Sequence, residues 1–464
     1  MDAAQVHERV LDVLIAGTAA RCDSFADLLA GLPGVGPDES AATLRRLAAA
    51  SLIDPAAAGR LIPAAEPVAA PVPATATPPG EAQACVGEGS VLPVPHPLDY
   101  DWRFTRSAAS SFMAHCIQLT GPGATIALLG TPTLAEAAAL APEGRRWLLL
   151  EASPATVAAF DRLTPGRVLR CDLSRDELPH LDARVVVADP PWYPDHARVF
   201  LWAAARVSQP GATILLAQPA VATRPGVLAE RAGILAFARL CGLEVTAILP
   251  GVVTYSSPPF ERQALAASGL AGSVPADWRR GDLIELRRTG ALPHGLRPVI
   301  TGEHAWHEVL LFGTRIRFRA DQPEQDRTAD PRLVHLVDGD VLASVSRRDP
   351  LRSAAAVWTS GNRVFGCRSP EIAAVIAAAL AAGTDARHAA ETHLGRRASR
   401  KEQTAIAQAA RQLGDLARAE TSPAPPAGAA NIGDLLNYLD HGTAMPGPAG
   451  LPQQARTPEG AWKS

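Results

Sequence analysis

The sequence predicts an α/β protein whose main domain is built on a parallel sheet. Between residues 123 and 267, short apolar runs alternate with amphipathic stretches of helix length, the pattern of repeated β-α-β units. Turn residues separate the runs, each of which has the length of one strand. The runs lie at 125–130, 146–151, 167–170, 184–188, 212–217 and 243–249. With 47% hydrophobic residues among 464, the chain has enough apolar side chains for more than one core.

The first 62 residues are predicted to form a winged-helix-like domain. Its three helices are expected at 6–16, at 25–29 after the capping residue Ser24, and from Asp38 onward. Residues 60–62 are expected to form a strand of the wing. In DNA readers the third helix of such a domain enters the major groove, but here its polar face offers only Arg45 and Arg46. Docking is therefore favoured over nucleic-acid binding.

A linker rich in alanine and proline is predicted over residues 63–91. The sheet domain, which we place at 92–270, begins with a segment in which Tyr100, Trp102 and Phe104 alternate with charged residues. Aromatic residues make up only 5% of the chain, so this segment stands out. We expect it either to clasp the domain that follows or to form a lid over a substrate, and the clasp is favoured.

The alternation of strands and helices ends beyond the sheet domain. Residues 271–368 are predicted to form a β-rich module with several arginines, and residues 369–420 a helical region. Strands of the module are expected at 282–288, 308–319, 334–345 and 355–365. We expect the tail, 421–464, to be flexible. Its amphipathic peptide 432–440 has the pattern of a docking segment for a partner protein or for the chain's own core.

Charge and cysteine usage exclude several classes of protein. A net charge of −3 is typical of neither a histone-like nucleic-acid binder nor a strongly acidic protein. None of the six cysteines belongs to a Cys-x-x-Cys pair, and no motif indicates a metal site. No apolar run approaches the roughly 20 residues of a membrane span. We expect a cytoplasmic protein without a membrane partner.

Polar residues follow four successive strands of the predicted sheet. Gly130 and Thr131 follow the first strand, Glu151 ends the second, Asp172 follows the third and Asp189 the fourth. In a parallel sheet these strand ends meet at one edge, where ligands bind. A carboxylate at the second strand can accept hydrogen bonds from both hydroxyls of a ribose. The acid after the third strand can bind the amino group of adenine.

This series resembles the class I S-adenosylmethionine transferases over residues 120–265, about a third of the chain. The resemblance implies that Gly130, Thr131, Glu151 and Asp172 hold the sulfonium nucleoside, either S-adenosylmethionine or its decarboxylated form. The family usually carries Gly-x-Gly-x-Gly in the first turn. Here only Gly130 is present, and Thr131 and Pro132 follow it; Pro132 has no N–H to donate.

The tetrapeptide Asp189-Pro190-Pro191-Trp192 is the most specific motif in the chain. Transfer of an alkyl group from a sulfonium is an in-line displacement by a nitrogen lone pair. The carboxylate of Asp189 and the carbonyl of Pro190 can both accept hydrogens of that nitrogen and so orient the lone pair. Two prolines stiffen the turn, and Trp192 offers a face to a base or a cation. We therefore predict that Asp189, Pro190 and Trp192 are catalytic.

Two families share such a motif, and the chain resembles both. One is the amino-directed methyltransferases of adenine and cytosine. The other is the N4-bis(aminopropyl)spermidine synthases, which have a winged-helix domain and an approach segment similar to residues 93–100. The second resemblance implies a pocket for a polyamine. Candidate substrate-binding residues are Asp99, Asp101, Pro191, Tyr193, Tyr255 and Glu261.

Three functions remain open from the sequence. The first is methyl transfer from S-adenosylmethionine to an amine nitrogen of a nucleobase, a protein or a polyamine. The second is aminopropyl transfer from decarboxylated S-adenosylmethionine to a polyamine. The third is a non-catalytic scaffold that binds partners, which the reduced glycine turn and the additional modules would suit. Methyl transfer is the leading hypothesis at this stage.

Overall fold

Eight strands form the central sheet of the computed structural model, which describes residues 2–62, 90–140, 146–300, 304–321 and 329–421. The strands are β1 (Arg103–Phe104), β2 (Thr125–Leu129), β3 (Arg146–Glu151), β4 (Val168–Arg170), β5 (Ala183–Ala188), β6 (Ser208–Pro219), β7 (Leu243–Ser256) and β8 (Arg280–Arg288). Their order across the sheet is β1-β7-β8-β6-β5-β2-β3-β4. The five strands from β4 to β6 are parallel and follow the 3-2-1-4-5 order of a Rossmann-like sheet. The predicted α/β class is confirmed.

Helices cover both faces of this sheet. They are α5 (Arg106–Thr120), α6 (Pro132–Ala139), α7 (Pro154–Asp161), α8 (Pro194–Val207), α9 (Val227–Leu240) and α10 (Pro259–Ala267). On β5, Val186 and Ala188 pack in one core with α8 and α9, whereas Val185 and Val187 pack in the other with α5, α6 and α7. All four side chains are fully buried. A strand that is apolar on both faces is typical of a parallel sheet covered by helices.

The strand β8 lies in the central sheet, whereas we predicted residues 282–288 within the β-rich module. It runs antiparallel to both of its neighbours, β6 and β7. The position is fixed by a buried ion pair in which Arg231 of α9 donates to Asp282 Oδ2 at 2.7 Å and to the Pro219 carbonyl. The amide of Gly251 donates to the other Asp282 oxygen at 2.9 Å. The ion pair of Asp282 and Arg231 thus joins β8 to α9, to the end of β6 and to β7.

Four helices form the N-terminal part of the chain. They are α1 (Ala3–Ala19), α2 (Phe25–Ala30), α3 (Pro37–Ala49) and α4 (Pro55–Leu61). The predicted wing strand at 60–62 is wrong, because the end of α4 occupies this position. Asp54 caps α4 by accepting a hydrogen bond from the Ala56 amide, and Pro55 provides a preformed first helical residue. The core of these helices continues onto Leu270 and Trp278 of the sheet domain.

A second sheet and three helices follow the central sheet. The strands are β9 (Trp306–Leu311), β10 (Thr314–Arg319), β11 (Val334–His335), β12 (Val357–Thr359) and β13 (Val364–Gly366), and the helices are α11 (Pro370–Ala381), α12 (Ala386–Leu394) and α13 (Arg400–Thr421). The sheet is antiparallel in the order β11-β13-β12-β10-β9. The strand predicted at 308–319 is a hairpin, because Phe312 and Gly313 both adopt positive φ between β9 and β10. The strand predicted at 334–345 is limited to β11.

Two predicted segments lie outside the described residues, the peptide 432–440 and most of the linker 63–91. Across the part of the chain that the structure describes, none of the helices is both long and apolar enough to cross a membrane.

Replacing Asp282 by alanine should lower the free energy of unfolding by about 3–5 kcal/mol, because Arg231 would remain buried without its carboxylate. Urea unfolding followed by circular dichroism measures this change. The matched control is Asp415→Ala, which removes one partner of an exposed ion pair on α13 and should stay within about 1 kcal/mol of the wild type. Equal effects of the two substitutions would contradict the role of Asp282.

Candidate functional site

A cavity of about 840 Å³ opens at the carboxyl ends of the parallel strands. Twelve of the thirteen predicted site residues line it: Asp99, Asp101, Gly130, Glu151, Asp172, Asp189, Pro190, Pro191, Trp192, Tyr193, Tyr255 and Glu261. Thr131 is not among the lining residues; it is fully buried below the turn. The structure therefore brings together residues that span 163 positions of the sequence, from 99 to 261.

The first turn of the sheet brings the backbone close to the helix α8. Gly130 has a φ of 61°, and a Cβ at this position would lie 3.1 Å from the ring of Phe200. A glycine is required here for both reasons. Thr131 precedes α6 without capping it by its side chain, and its hydroxyl is buried without a hydrogen-bond partner among the described residues. Pro132 occupies the first helical position, so this helix offers one N–H fewer than usual.

Glu151 and Asp172 line the cavity next to the ends of β3 and β4. Glu151 accepts a hydrogen bond from the Ser153 amide at 2.8 Å, and burial raises the pKa of its carboxyl to about 7 despite this bond. Asp172 accepts from the amide and the hydroxyl of Ser174 at 2.9 and 2.6 Å. Both carboxylates are held by their own turns. They can therefore accept hydrogen bonds from hydroxyl or amino groups of a ligand without rearranging.

Asp189 lines the cavity directly after β5. Its Oδ1 atom accepts a hydrogen bond from the Tyr255 hydroxyl at 2.8 Å. Burial, with a smaller contribution from the nearby charge of Asp101, raises the pKa of the Asp189 carboxyl to about 8 although the bond from Tyr255 lowers it. The ring of Trp192 meets that of Tyr255 edge to face at 5.5 Å between centroids. The motif thus places a carboxyl group whose pKa is close to neutral pH beside the rings of Trp192 and Tyr255.

Trp192 also belongs to a group of aromatic residues that sequence reasoning missed. The guanidinium carbon of Arg279 lies 5.0 Å from the ring centre of Trp102, 5.6 Å from that of Trp192 and 4.6 Å from that of Trp278. Arg279 also pairs with Glu261. A Cβ on Gly281 would lie 2.9 Å from the Trp192 ring, so glycine at this position makes room for the indole. The sequence signal was the scarcity of tryptophan, with eight in the chain.

The segment before β1 contacts the β-rich module. Asp99 pairs with Arg315 at 2.7 Å and with Arg317, both on β10. His96 contacts the Trp358 carbonyl at 3.2 Å. These contacts attach the segment to the β-rich module, and residues 98–102 of the same segment line the cavity, so the clasp and the lid both stay predictions. Asp99 thus lines the cavity with a carboxylate that two arginines already share.

Asp101 is also paired within its own segment. Its two oxygens accept hydrogen bonds from Arg103, from Nε at 3.1 Å and from Nη2 at 2.6 Å. Arg103 Nη2 also donates to the carbonyl of Pro93 at 2.6 Å. Asp101 nevertheless lies close enough to Glu151 and Asp189 to raise the pKa of both carboxyls.

The β-rich module supplies one wall of the cavity, which the sequence did not indicate. Residues 343–346 line it, and the next residue, Arg347, holds the end of the motif. The Arg347 amide donates to the Tyr193 hydroxyl at 2.9 Å, and its guanidinium stacks 4.3 Å from the centre of that ring. The same guanidinium donates to both oxygens of Asp195 at 3.0 and 2.9 Å.

Acidic residues outnumber basic ones around the cavity. The acids are Asp38, Glu39, Asp99, Asp101, Glu151, Asp172, Asp189 and Glu261, and the basic residues are Arg175, Arg224, Arg279 and His196. The raised pKa values of Asp189 and Glu151 have burial as their first cause and neighbouring acids as an additional one. Asp99 and Asp101 already pair with arginines outside the lining, so the carboxyls that a positively charged ligand would help to ionise are those of Asp189 and Glu151.

Known proteins resemble this chain in fold. No family model and no curated protein matches it. Among solved structures, the branched-chain polyamine synthase of Thermus thermophilus, crystallised with N4-aminopropylspermidine and 5′-methylthioadenosine, is 19% identical with a TM-score of 0.45, and the match covers 65% of this chain and 96% of that one. A putative RNA methyltransferase of Pyrococcus horikoshii is 18% identical with a TM-score of 0.32, covering 43% and 93% of the two chains.

A third similar structure is a TehB-like S-adenosylmethionine-dependent methyltransferase of Corynebacterium glutamicum. It is 14% identical with a TM-score of 0.27, and the match covers 39% of this chain and 88% of that one. The similar structures thus include methyltransferases and a branched-chain polyamine synthase.

The Asp189 carboxyl should contribute a fall in the unfolding free energy as pH rises from about 4 to about 8. A carboxyl whose pKa is raised in the folded state, like that of Asp189, stabilises the fold below its ordinary pKa of 3.8, and this contribution is lost as pH approaches 8. In Asp189→Asn this contribution is absent because the amide does not titrate, so the slope of the unfolding free energy against pH should be more positive than in the wild type. Urea unfolding at a series of pH values measures the slope. Asp415→Asn, at an exposed position, should keep the wild-type slope; an unchanged slope in Asp189→Asn would refute the assignment.

Proposed function

We propose that the protein transfers an alkyl group from a sulfonium nucleoside, S-adenosylmethionine or its decarboxylated form, to an amine nitrogen. The observation that carries this proposal is the position of Asp189. It lies at the end of a buried parallel strand, holds a hydrogen bond from Tyr255 and faces the same cavity as Glu151 and Asp172. One cavity therefore contains two carboxylates that could bind a nucleoside and a third that could accept a proton from an amine.

The residues on the Glu151 side fit the nucleoside of the donor. Glu151 and Asp172 are fixed by Ser153 and Ser174, and each carboxylate remains at the cavity surface. Glu151 would accept hydrogen bonds from ribose hydroxyls, and Asp172 would accept one from the adenine amino group. The donor itself supplies a carbon activated by a positively charged sulfur. The carbon–sulfur bond breaks as the carbon–nitrogen bond forms, and the sulfur leaves as a neutral thioether, which is methylthioadenosine for the decarboxylated donor.

The residues on the Asp189 side fit an attacking amine. A protonated amine must lose a proton before its nitrogen has a lone pair that can attack, and a base works best when its pKa is near the working pH. Asp189, with a pKa of about 8, meets this condition. The Pro190 carbonyl can accept a second amine hydrogen and so direct the lone pair. Trp192 provides a face that attracts a cation.

The charges around the cavity favour aminopropyl transfer over methyl transfer, the leading hypothesis from sequence. S-adenosylmethionine carries a carboxylate that needs hydrogen-bond donors, whereas its decarboxylated form does not. Near the first turn Pro132 has no N–H, and Thr131 is buried away from the cavity lining. The acidic lining instead suits a donor and an acceptor that are both cationic, as a polyamine is. We therefore infer a polyamine as the acceptor.

Calorimetric titration with S-adenosylmethionine, its decarboxylated form and methylthioadenosine tests the donor. We expect the decarboxylated form to bind at least about tenfold more tightly than S-adenosylmethionine, the factor that corresponds to 1.4 kcal/mol. Glu151→Ala should weaken all three nucleosides, whereas Glu177→Gln, an exposed carboxylate outside the cavity, should not. A preference for S-adenosylmethionine would contradict aminopropyl transfer and favour methyl transfer. If none of the three nucleosides binds, the non-catalytic scaffold is favoured.

Asp189→Asn should lower the rate of transfer to spermidine by about 10²–10⁴, the usual contribution of a positioned base. The amide has the size of the carboxylate but cannot take the proton. Mass spectrometry of the polyamine product measures the rate, and methylthioadenosine affinity, expected to stay near the wild type, serves as the control. A rate within about threefold of the wild type would exclude Asp189 as the base, because a threefold change lies far below that contribution.

A further inference from the structure

The guanidinium of Arg279 occupies an aromatic cage inside the cavity. The cage consists of Trp102, Trp192, Trp278 and the carboxylate of Glu261, all of which line the cavity. The three ring centres lie 4.6–5.6 Å from the guanidinium carbon, within the range of cation–π attraction. Three aromatic faces beside one carboxylate are the arrangement by which proteins hold an ammonium group.

Arg279 donates hydrogen bonds to only one of the two oxygens of the Glu261 carboxylate. Its Nε and Nη2 atoms both donate to Oε1, the first of them at 3.1 Å. The other oxygen, Oε2, is buried and has no hydrogen-bond partner in the described part of the chain. The Glu261 side chain is only 3% exposed, so this oxygen is a costly unpaired acceptor. An ammonium group has three N–H donors and could serve both oxygens.

The cage adjoins the reacting group. Trp192 belongs to both the cage and the surroundings of Asp189. Its ring faces the Arg279 guanidinium and also meets the ring of Tyr255, whose hydroxyl donates a hydrogen bond to Asp189. An acceptor whose attacking nitrogen lies at Asp189 would therefore reach the cage with a second nitrogen a few bonds away. A diamine or polyamine has such a second nitrogen, whereas a simple monoamine does not.

We propose that this cage is the binding subsite for a second ammonium group of the acceptor, and that the Arg279 side chain is a resident cation which the acceptor displaces. The proposal rests on the proposed function, since it assigns the substrate class to the same cavity. The exchange replaces one cation by another, so Glu261 is never left buried and unpaired. Only the side chain needs to move, because the Arg279 carbonyl is fixed by a bond from the Tyr255 amide at 3.0 Å. The side chain is 15% exposed and can leave through the cavity.

Spermidine titration at saturating methylthioadenosine tests the displacement. In Arg279→Met the cage has no resident cation, so spermidine should bind at least about tenfold more tightly than to the wild type, the value of one desolvated cation–π contact. Arg175→Met is the matched control. It removes one positive charge from the lining of the same cavity at a largely exposed side chain, and should tighten spermidine binding by much less.

Two further variants keep the test decisive if Arg279→Met does not fold. Arg279→Lys retains a resident cation, and its spermidine affinity should remain within about threefold of the wild type, well below the effect of losing a cation–π contact. Glu261→Gln combined with Arg279→Met leaves no buried unpaired charge and should lose the gain in affinity. Weaker spermidine binding by Arg279→Met, or a gain equal to that of Arg175→Met, would overturn the displacement.

The outcome separates this inference from the proposed function. Methylthioadenosine binding is measured first on the same wild-type and variant samples. If the nucleoside does not bind, the proposed function fails. If the nucleoside binds but the Arg279 variants leave spermidine affinity unchanged, the transferase proposal stands and the cage is refuted as a subsite.

Discussion

The hydrogen bond from Tyr255 to Asp189 is the contact on which the site depends, because it joins two strand ends that are three places apart in the sheet. Asp189 follows β5 and Tyr255 lies near the end of β7, with β6 and β8 between them. A flat sheet would hold these ends apart. The pairing of β7 with β8 shifts register twice, between Val245 and Ala247 and between Leu249 and Val253. Such irregularities bend a strand, and the bend brings its end over the cavity.

The positions of Asp101 and Trp102 follow from the same bend. The bent end of β7 pairs with β1 through Tyr255 and Ser256, and this pairing holds the segment that carries Asp101 and Trp102. Asp101 is then close enough to Asp189 to disfavour a second negative charge. The protein keeps these acids together at the cost of desolvation, which protonation of a carboxyl reduces. A cationic ligand would reduce it as well, so the proposed function implies that binding of a polyamine and ionisation of Asp189 are coupled.

The sequence predicted the parallel part of the fold and which polar residues follow its strands, because both are encoded locally. Each strand is one apolar run, and Gly130, Glu151 and Asp189 lie within one residue of a strand end. The antiparallel strand β8 could not be placed, since its pattern is that of any half-polar strand and its partners are distant in sequence. The helix α4 was missed although Asp54 and Pro55 carried the local signal. The grouping of Trp102, Trp192 and Trp278 could not be predicted from the sequence, because successive members lie about 90 residues apart.

Modules outside the parallel strands supply part of the cavity lining. Asp38 and Glu39 come from the N-terminal helices, residues 343–346 from the β-rich module, and Trp278 and Arg279 from the stretch just before β8. Glu151 and Asp172 depend instead on strand ends, whose positions the sheet fixes. Under the proposed function, substitutions in the outer modules would change which amine is accepted without disturbing these two carboxylates. Such a division would let a Rossmann-like sheet with several appended modules serve one donor and many acceptors.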